Sequence, residues 1–230
     1  MRSLVNKKAI VTGGDSGIGK EIVSLFEKHG ASVAIFDLTH DVDITDEEAV
    51  RKAIDKMDKI DILVNCAGIF APGTAAQTSY STWSKILKVN LDGAFLCSKY
   101  CAQSMLKNGG GAIINVASEA GIAAIAGQVA YNVSKAAMIH LSKSMAVDYA
   151  ADNIRVNCIC PGRVLTPLVQ NIIDSSENPE ETFRELSQDR PLMRMGSPKD
   201  IAQACLCFAD DSMPYATGAV VSIDGGYTAR

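Results

Sequence analysis

The chain has 230 residues, 47% of them hydrophobic and 21% charged, with a formal net charge of −4. This length and composition are typical of a globular α/β domain. The slightly acidic balance argues against a nucleic-acid-binding protein, which carries a basic patch, and no apolar run is long enough to span a bilayer. Residues 1–8 lack the apolar stretch and cleavage site of a signal peptide, so we expect a cytoplasmic protein.

Short apolar runs alternate with helical patterns along the whole chain. Runs of strand length occupy residues 8–12, 32–36, 60–64, 111–117, 154–160 and 219–223. Helical patterns end at residue 28 and then occupy 46–57, 82–107, 129–150 and 198–209, with a polar, partly helical stretch at 168–188. This alternation predicts a single α/β domain over residues 1–230, built on a doubly wound parallel sheet with helices on both faces.

A glycine-rich turn at residues 13–19 links the first strand to the first helix, and Asp37 ends the next strand. Glycine permits the tight turn and lets the backbone approach a pyrophosphate, while the helix N-terminus offers free N–H groups. The unit predicts Rossmann-type dinucleotide binding. The Asp37 carboxylate is placed to accept hydrogen bonds from the adenosine ribose and would repel a 2′-phosphate, which favours NAD. The alternatives are a bare loop and a turn-forming aspartate.

The passage from Asp37 to the helix at residue 46 contains only residues 38–45. A crossover between parallel strands needs about a dozen residues or more. The third strand is therefore abbreviated, either to a residue or two near 42–44 or to nothing. We predict that strand 32–36 lies at or near the sheet edge, that no helix occurs between Asp37 and Asp43, and that the adenine end of the cofactor site is unusually open.

The seven cysteines and three histidines show no metal-binding spacing. Cys158 and Cys160 alternate on a strand pattern and so share one side of the sheet, and Cys97 and Cys101 lie one helical turn apart. We therefore expect buried free thiols, no metal site and a reducing compartment.

Several motifs follow one another in a fixed order along the chain. They are Thr12-Gly-x3-Gly-x-Gly19, Asn65-Cys66-Ala67-Gly68, Asn90, Ser118, Tyr131-x-x-x-Lys135, Pro161-Gly162 and Ile223-Asp224-Gly225-Gly226. With these motifs the sequence resembles the short-chain dehydrogenase/reductase family over essentially its whole length. It departs from the family pattern at Cys66, where a second Asn is common, and at Ala117, where a first Ser is frequent.

The resemblance implies a catalytic set of four residues. Tyr131 acts as the acid/base, and Lys135 binds the nicotinamide ribose. Their spacing places them on one helix face, where a lysine ammonium favours the phenolate form of the tyrosine. Ser118 hydrogen-bonds the substrate oxygen, and Asn90 holds a water that relays the proton to solvent.

The glycine turn and the resemblance together indicate the residues that bind the cofactor. Asp43 followed by Ile44 resembles the family's pair that contacts adenine. The complete set is Gly13, Asp15, Ser16, Ile18, Asp37, Leu38, Asp43, Ile44, Asn65, Ala67, Gly68, Tyr131, Lys135, Pro161, Gly162, Val164 and Thr166.

Residues 165–195 resemble the family's mobile substrate lid, and we expect the charges of this segment to be mostly solvated: Glu177, Glu180, Glu181, Arg184, Arg190 and Arg194. Glu119 and Gln128 are polar residues near the catalytic set and are candidates for contacting substrate hydroxyls.

The preferred interpretation is an NAD-dependent oxidoreductase that moves a hydride between the nicotinamide and a small alcohol or ketone, such as a sugar, polyol or short hydroxy acid. Two alternatives remain: a 3-oxoacyl reductase of fatty-acid synthesis, whose usual NADP preference conflicts with Asp37, and a non-catalytic dinucleotide sensor. The resemblance also implies a homotetramer that packs through helices 82–107 and 129–150 and the last strand.

Overall fold

The computed structural model describes residues 3–230, so Met1 and Arg2 of the predicted N-terminal segment lie outside the described residues. Six parallel strands form one sheet in the order β2-β1-β3-β4-β5-β6. The sheet confirms the predicted doubly wound, Rossmann-type α/β fold. The strands are β1 (Lys8–Thr12), β2 (Ser32–Phe36), β3 (Ile62–Asn65), β4 (Gly111–Val116), β5 (Ile154–Pro161) and β6 (Val220–Ile223).

Helices cover both faces of this sheet. They are α1 (Gly17–Lys28), α2 (Glu47–Asp55), α3 (Tyr80–Leu87), α4 (Gly93–Asn108), α5 (Val129–Tyr149), α6 (Pro167–Asp174), α7 (Pro179–Gln188) and α8 (Pro198–Ala209). A π-helical segment, Lys88–Asp92, joins α3 to α4, so the predicted long helix 82–107 is continuous but changes its winding midway. The polar stretch 168–188 resolves into α6 and α7.

Strand side chains alternate between two apolar layers, one on each face of the sheet. Ala9 and Val11 of β1 pack with α1 and α8, whereas Ile10 between them packs on the side of α2, α4 and α5. In β4, Ile114 joins the first layer and Ile113 the second. Because both faces are covered, each strand reads in the sequence as a nearly continuous apolar run.

The order of the strands reverses at β1, which pairs with β3 on one side and with β2 on the other. Thr12, Asn65 and Asn115 lie in register at the carboxyl ends of β1, β3 and β4. In open parallel sheets, ligands bind outside the carboxyl ends of the strands at such a reversal. The glycine turn leaves β1 at this point, and the segment that carries Ser118 leaves β4 beside it.

The segment after β2 bears out one prediction and corrects another. Residues 38–45 contain no strand, and the edge position of β2 is confirmed. The expectation of no helix before Asp43 is wrong, because Leu38–His40 forms one 3-10 turn. The segment is long enough for one turn but too short for a crossover helix. The Asp37 side chain caps the turn by accepting a hydrogen bond from Thr39 N (3.4 Å), and Asp41 ends it at a φ of 57°.

Buried polar side chains tie the strand ends to the helices behind them. Asn65 Nδ2 donates to Asn115 Oδ1 (2.8 Å) and to Ser98 Oγ of α4 (2.9 Å). Asn115 Nδ2 in turn donates to Ser142 Oγ of α5 (2.8 Å), and Ser142 Oγ donates to Met138 O (2.8 Å). The network joins β3 and β4 to the two helices that frame the site.

Replacing Asn115 by Leu should destabilise the fold, because similar volume is kept while Asn65 Nδ2 loses one acceptor and Ser142 Oγ loses its donor. Leaving buried polar groups unsatisfied lowers the free energy of unfolding by about 2–4 kcal/mol. Chemical denaturation measures the change. The control is Asn108→Leu, since the Asn108 amide bonds Ser104 O at an exposed helix end. Similar stability of both variants would contradict the network's role.

Candidate active site

A cavity of about 660 Å³ opens at the carboxyl ends of the central strands. Most of the predicted site residues line it. They are Gly13, Ser16, Ile18, Asp37, Leu38, Asp43, Ile44, Ala67, Gly68, Ser118, Tyr131, Lys135, Pro161, Gly162, Val164 and Thr166. Asp15, Asn65 and Asn90 do not line the cavity, and of the three only Asn90 bonds a lining residue with its side chain, namely Ile69.

The glycine turn brings two backbones together at the bottom of the cavity. Gly13 adopts a φ of 67°, and a Cβ at this position would lie 2.9 Å from Ala67 Cα. The Thr12 hydroxyl accepts hydrogen bonds from the N–H groups of Cys66 and Ala67, both at 3.0 Å. A Cβ on Gly19 would lie 2.1 Å from Gly13 O, so the start of α1 must also be glycine.

The N-terminus of α1 is suited to an anion. Its N-cap residue, Ser16, makes no side-chain hydrogen bond to the helix, and the first turn contains no acidic residue. The free N–H groups and the positive end of the helix dipole therefore face the cavity, and the first turn itself carries no counter-charge. Together with the bare glycine backbone, these features fit the pyrophosphate of a dinucleotide.

The 3-10 turn after β2 folds back onto the glycine turn. The Thr39 hydroxyl donates to Asp15 Oδ2, and His40 Nε2 lies 3.1 Å from Asp15 Oδ1. The hydrogen bond from Thr39, followed by that from His40, holds the pKa of Asp15 below its ordinary value. Asp15 is among the predicted cofactor residues, whereas Thr39 and His40 are not, because a one-turn helix leaves no periodic signal in the sequence.

Asp43 forms a compact turn of its own at the adenine end. Its carboxylate accepts hydrogen bonds from Thr45 N and Thr45 Oγ1, both at 2.8 Å, and these bonds lower the pKa of Asp43. The next residue, Ile44, is buried and packs against Gly93, where a Cβ would lie 2.7 Å from Ile44 Cδ1. The long helix thus fixes the wall on which the predicted adenine pair sits.

Tyr131 and Lys135 lie on one face of α5, within its first two turns. Lys135 is buried, donates from Nζ to Val116 O (2.9 Å) and places Nζ 5.7 Å from the centre of the Tyr131 ring. Phe70 packs edge-on against the same ring with centroids 5.5 Å apart. Lys135 and Phe70 therefore orient the Tyr131 ring from two sides, and Tyr131 still lines the cavity.

Ser118 lies two residues beyond β4 and caps a 3-10 turn, Glu119–Gly121. Its Oγ accepts a hydrogen bond from Ala120 N (3.2 Å). A hydroxyl that accepts from the backbone keeps its own proton for another partner. Ser118 is thus able to donate a hydrogen bond into the cavity.

Asn90 is buried in the π-helical segment. Its Oδ1 accepts from Ile69 N (2.8 Å), and its Nδ2 donates to Ile69 O (3.0 Å) and to Ser134 Oγ (3.1 Å). The side chain therefore holds the loop after β3 against α5. A π-helical segment shifts backbone hydrogen bonds out of the α-helical pattern and is common at functional sites.

The structure corrects two expectations about charged residues. Arg190, predicted to be solvated, is 1% exposed, and Glu119, a candidate for substrate contact, is 2% exposed. They form an ion pair of 3.1 Å between Arg190 Nη1 and Glu119 Oε2. Neither residue carries a sequence signal of burial, because each depends on a partner 71 positions away.

The seven cysteines are unpaired, five of them buried and two, Cys66 and Cys207, partly exposed. Burial raises the pKa of the Cys66 thiol to about 11 and that of Cys97 to about 12, so both stay protonated near neutral pH. Within residues 3–230 no group of three or more His, Cys, Asp or Glu residues is arranged to hold a metal ion. Among the described helices, none combines the length and apolarity that crossing a membrane requires.

Comparison with known proteins adds relatives across the whole chain. A family model described as "Enoyl-(Acyl carrier protein) reductase" matches residues 37–228. An "Uncharacterized oxidoreductase" of Thermotoga maritima is 38% identical over 245 residues, covering 97% of this chain and 98% of the relative. A 3-oxoacyl-[acyl-carrier-protein] reductase of the same organism is 35% identical over 248 residues, covering 97% and 98%.

Solved structures give the same result. The ligand-free aldohexose dehydrogenase of Thermoplasma acidophilum has a TM-score of 0.91 at 31% identity, covering 99% of this chain and 96% of that one. ElxO, in a structure with bound NADP, has a TM-score of 0.90 at 32% identity, covering 97% and 99%. By its sequence and by its fold, the chain belongs to the short-chain dehydrogenase/reductase family.

Proposed function

We propose that this protein is an NAD-dependent oxidoreductase that interconverts a small secondary alcohol and its ketone. The observation that carries the proposal is the arrangement of Tyr131 and Lys135, with Nζ 5.7 Å from the phenol ring, in the same cavity as Ser118 and the glycine turn. The cavity thus combines a proton-transferring group, a cation, a hydrogen-bond donor and an anion-binding helix end.

The bound nicotinamide supplies or accepts the hydride. Tyr131 Oη donates a proton to the carbonyl oxygen in reduction and removes the hydroxyl proton in oxidation. The buried Lys135 ammonium, held on Val116 O, stabilises negative charge on the phenol oxygen and is available to the ribose hydroxyls. Ser118 Oγ donates its free proton to the same substrate oxygen, and the segment at Asn90 holds the water that passes the proton to solvent.

The remaining cofactor contacts follow the course of the cavity. The turn at Asn65, Ala67 and Gly68 would hold the adenosine, while Pro161, Gly162, Val164 and Thr166 would support the nicotinamide. The Asp37 carboxylate lines the cavity at the proposed ribose end, and a 2′-phosphate placed there would meet like charge. This charge pattern supports NAD, whereas the similar ElxO structure holds NADP.

Of the predicted substrate classes, a substrate with few hydroxyl groups suits this cavity better than a sugar or polyol. Glu119 and Gln128 both line the cavity, but Glu119 is paired with Arg190 through Oε2. The lid helix α6 contributes apolar side chains, and the cavity wall also contains Phe70 and Ile125. A substrate with many hydroxyl groups would leave them without partners against this lining.

The apolar lining also favours a second candidate, a 3-oxoacyl reductase, and a relative bearing that name is 35% identical. A panel of hydroxy acids, polyols, sugars and 3-oxoacyl thioesters, read by NADH absorbance, tests both candidates. Turnover of hydroxy acids supports the first, and preferential reduction of oxoacyl thioesters supports the second. NADH binding without turnover of any compound in the panel would favour the third alternative, a dinucleotide sensor.

We also propose one catalytic domain whose lid, residues 165–195, closes over the substrate and excludes water. Seven unpaired cysteines fit a reducing compartment, so we expect a cytoplasmic location. No membrane or nucleic-acid partner is part of the proposal.

The Tyr131→Phe variant should lose turnover and keep NADH binding, because only the proton-transferring hydroxyl is removed. Loss of a general acid/base lowers kcat by about 100-fold or more. Steady-state kinetics measure kcat, and NADH fluorescence measures the Kd. Tyr149→Phe, farther along the same helix, is the control, while Lys135→Ala should weaken both binding and turnover. A Tyr131→Phe variant with near-normal kcat would refute the acid/base assignment.

Wild-type protein should show a higher kcat/KM with NAD than with NADP, and Asp37→Asn should narrow the gap. The substitution removes the charge that repels the 2′-phosphate and weakens the ribose hydrogen bonds, at a cost of about tenfold in kcat/KM for NAD. Asp41→Asn, an exposed neighbour in a conformation that Asn tolerates, is the matched control. A wild-type preference for NADP would overturn the assignment.

We expect a homotetramer assembled through α4, α5 and β6. Exposed apolar side chains support this, including Phe95 and Leu106 on α4 and Val147, 81% exposed, on α5. Light scattering should give about four times the 24.4 kDa of one chain. Val147→Asp should lower the mass, whereas Val5→Asp, an exposed residue before β1, should not. A wild-type monomer at micromolar concentration would contradict the proposal.

A further inference from the structure

Four charged side chains form a continuous series of ion pairs at the base of the lid. Arg163 Nε lies 3.0 Å from Asp189 Oδ2, and Arg190 Nε donates to Asp189 Oδ1 at 2.9 Å. Arg190 Nη1 then donates to Glu119 Oε2 at 3.1 Å. We call Arg163, Asp189, Arg190 and Glu119 the lid-base network.

The centre of the lid-base network is buried. The side chains of Arg190 and Glu119 are 1% and 3% exposed, whereas Asp189 is 29% exposed. Arg190 also donates to Asp224 O (3.1 Å) and lies 5.5 Å from the centre of the Tyr227 ring. Burial raises the pKa of the Glu119 carboxyl, and the Arg190 guanidinium opposes this effect.

The network reaches both sides of the reacting centre. Glu119 directly follows Ser118, and Arg163 directly follows Gly162. A Cβ on Gly162 would lie 2.6 Å from Arg190 Nη1 and 2.7 Å from Glu119 Oε2, so the buried pair packs against the Gly162 backbone. Asp189 follows the last residue of α7 in the lid. Three separate parts of the site therefore meet at one ion pair.

Such a pair is not explained by stability alone, because a buried ion pair is often no more stabilising than apolar side chains of similar volume. What it provides is a fixed geometry among the segments that it joins. Hydride transfer depends strongly on geometry, and a displacement of about 1 Å can cost about 100-fold in rate. In the proposed function, the distance between Ser118 and the Gly162 backbone must therefore stay constant.

We propose that Arg190 and Glu119 are positioning residues, which hold Ser118 and the Gly162 segment in register with the lid. This inference rests on the proposed function, in which Ser118 contacts the substrate and Gly162 lies beneath the nicotinamide. Neither charged side chain exchanges a proton with the substrate.

A double-mutant series separates positioning from stability. Arg190→Met leaves Glu119 as an unpaired buried charge, so it should lower both Tm and kcat/KM. Adding Glu119→Gln removes that charge, and the double variant should recover most of the Tm. Its kcat/KM should stay reduced by about tenfold or more, because the link between the segments is still missing. Arg190→Lys, which keeps a cation, should restore part of kcat/KM.

The matched control is Arg155→Met. Arg155 also donates to backbone carbonyls, those of Phe208 (3.0 Å) and Asp210 (3.2 Å), on a part of the fold that does not line the cavity. The Tm of the Arg155→Met variant should fall, while its kcat/KM should equal that of the wild type. Should Arg190→Met fail to fold, the double variant and Asp189→Asn carry the comparison. Recovery of kcat/KM together with Tm in the double variant would overturn the proposal.

A second readout does not depend on turnover. Hydrogen exchange of residues 167–188 in the NADH complex should be faster in the double variant than in the wild type, because the lid has lost its anchor. In the Arg155→Met variant, hydrogen exchange of residues 167–188 should be as slow as in the wild type. Unchanged lid exchange in the double variant would overturn the positioning role, whereas a wild type that turns over no substrate would overturn only the proposed function.

Discussion

The backbone contact between the turn after β1 and the turn after β3 leaves no room for a side chain. Gly13 approaches Ala67 so closely that a Cβ would lie 2.9 Å from its Cα, and the Thr12 hydroxyl binds both N–H groups of the facing turn. This contact closes the bottom of the cavity and turns α1 so that its N-terminus points into the cavity. The proposed phosphate site therefore depends on a packing constraint on backbone atoms.

The proposed catalytic end depends on hydrogen bonds rather than on close backbone packing, because its side chains must be held in one orientation. Lys135 is held by the Val116 carbonyl, and Asn90 uses both ends of its amide to fix the Ile69 backbone. Asn65 and Asn115 stand behind them and link the strand ends to α4 and α5. In a buried environment such hydrogen bonds favour one arrangement, since each lost hydrogen bond is costly.

Much of the fold could be predicted from the sequence, because a covered parallel sheet leaves strong apolar runs and the glycine turn has a mechanical reason for each glycine. The order and spacing of the motifs likewise predicted that Ser118, Tyr131 and Lys135 share one site, and all three line the same cavity. The π-helical segment and the turn Leu38–His40 could not be foreseen, since neither leaves a periodic pattern. The burial of Arg190 was missed for another reason: a long charged side chain is buried only where a distant partner compensates it.

The short segment after β2 shows how a reduced crossover remains compatible with a ribose site. Alignments with relatives extend over 245 residues or more, so relatives contain positions that this 230-residue chain lacks. With β2 at the sheet edge, Asp37 has no neighbouring strand on one side to hold it. Thr39 takes over this task, because its backbone N–H bonds Asp37 while its hydroxyl bonds Asp15 of the glycine turn. Thr39 thus connects the proposed ribose end to the glycine turn at the proposed phosphate end, and it anchors the edge strand to the rest of the site.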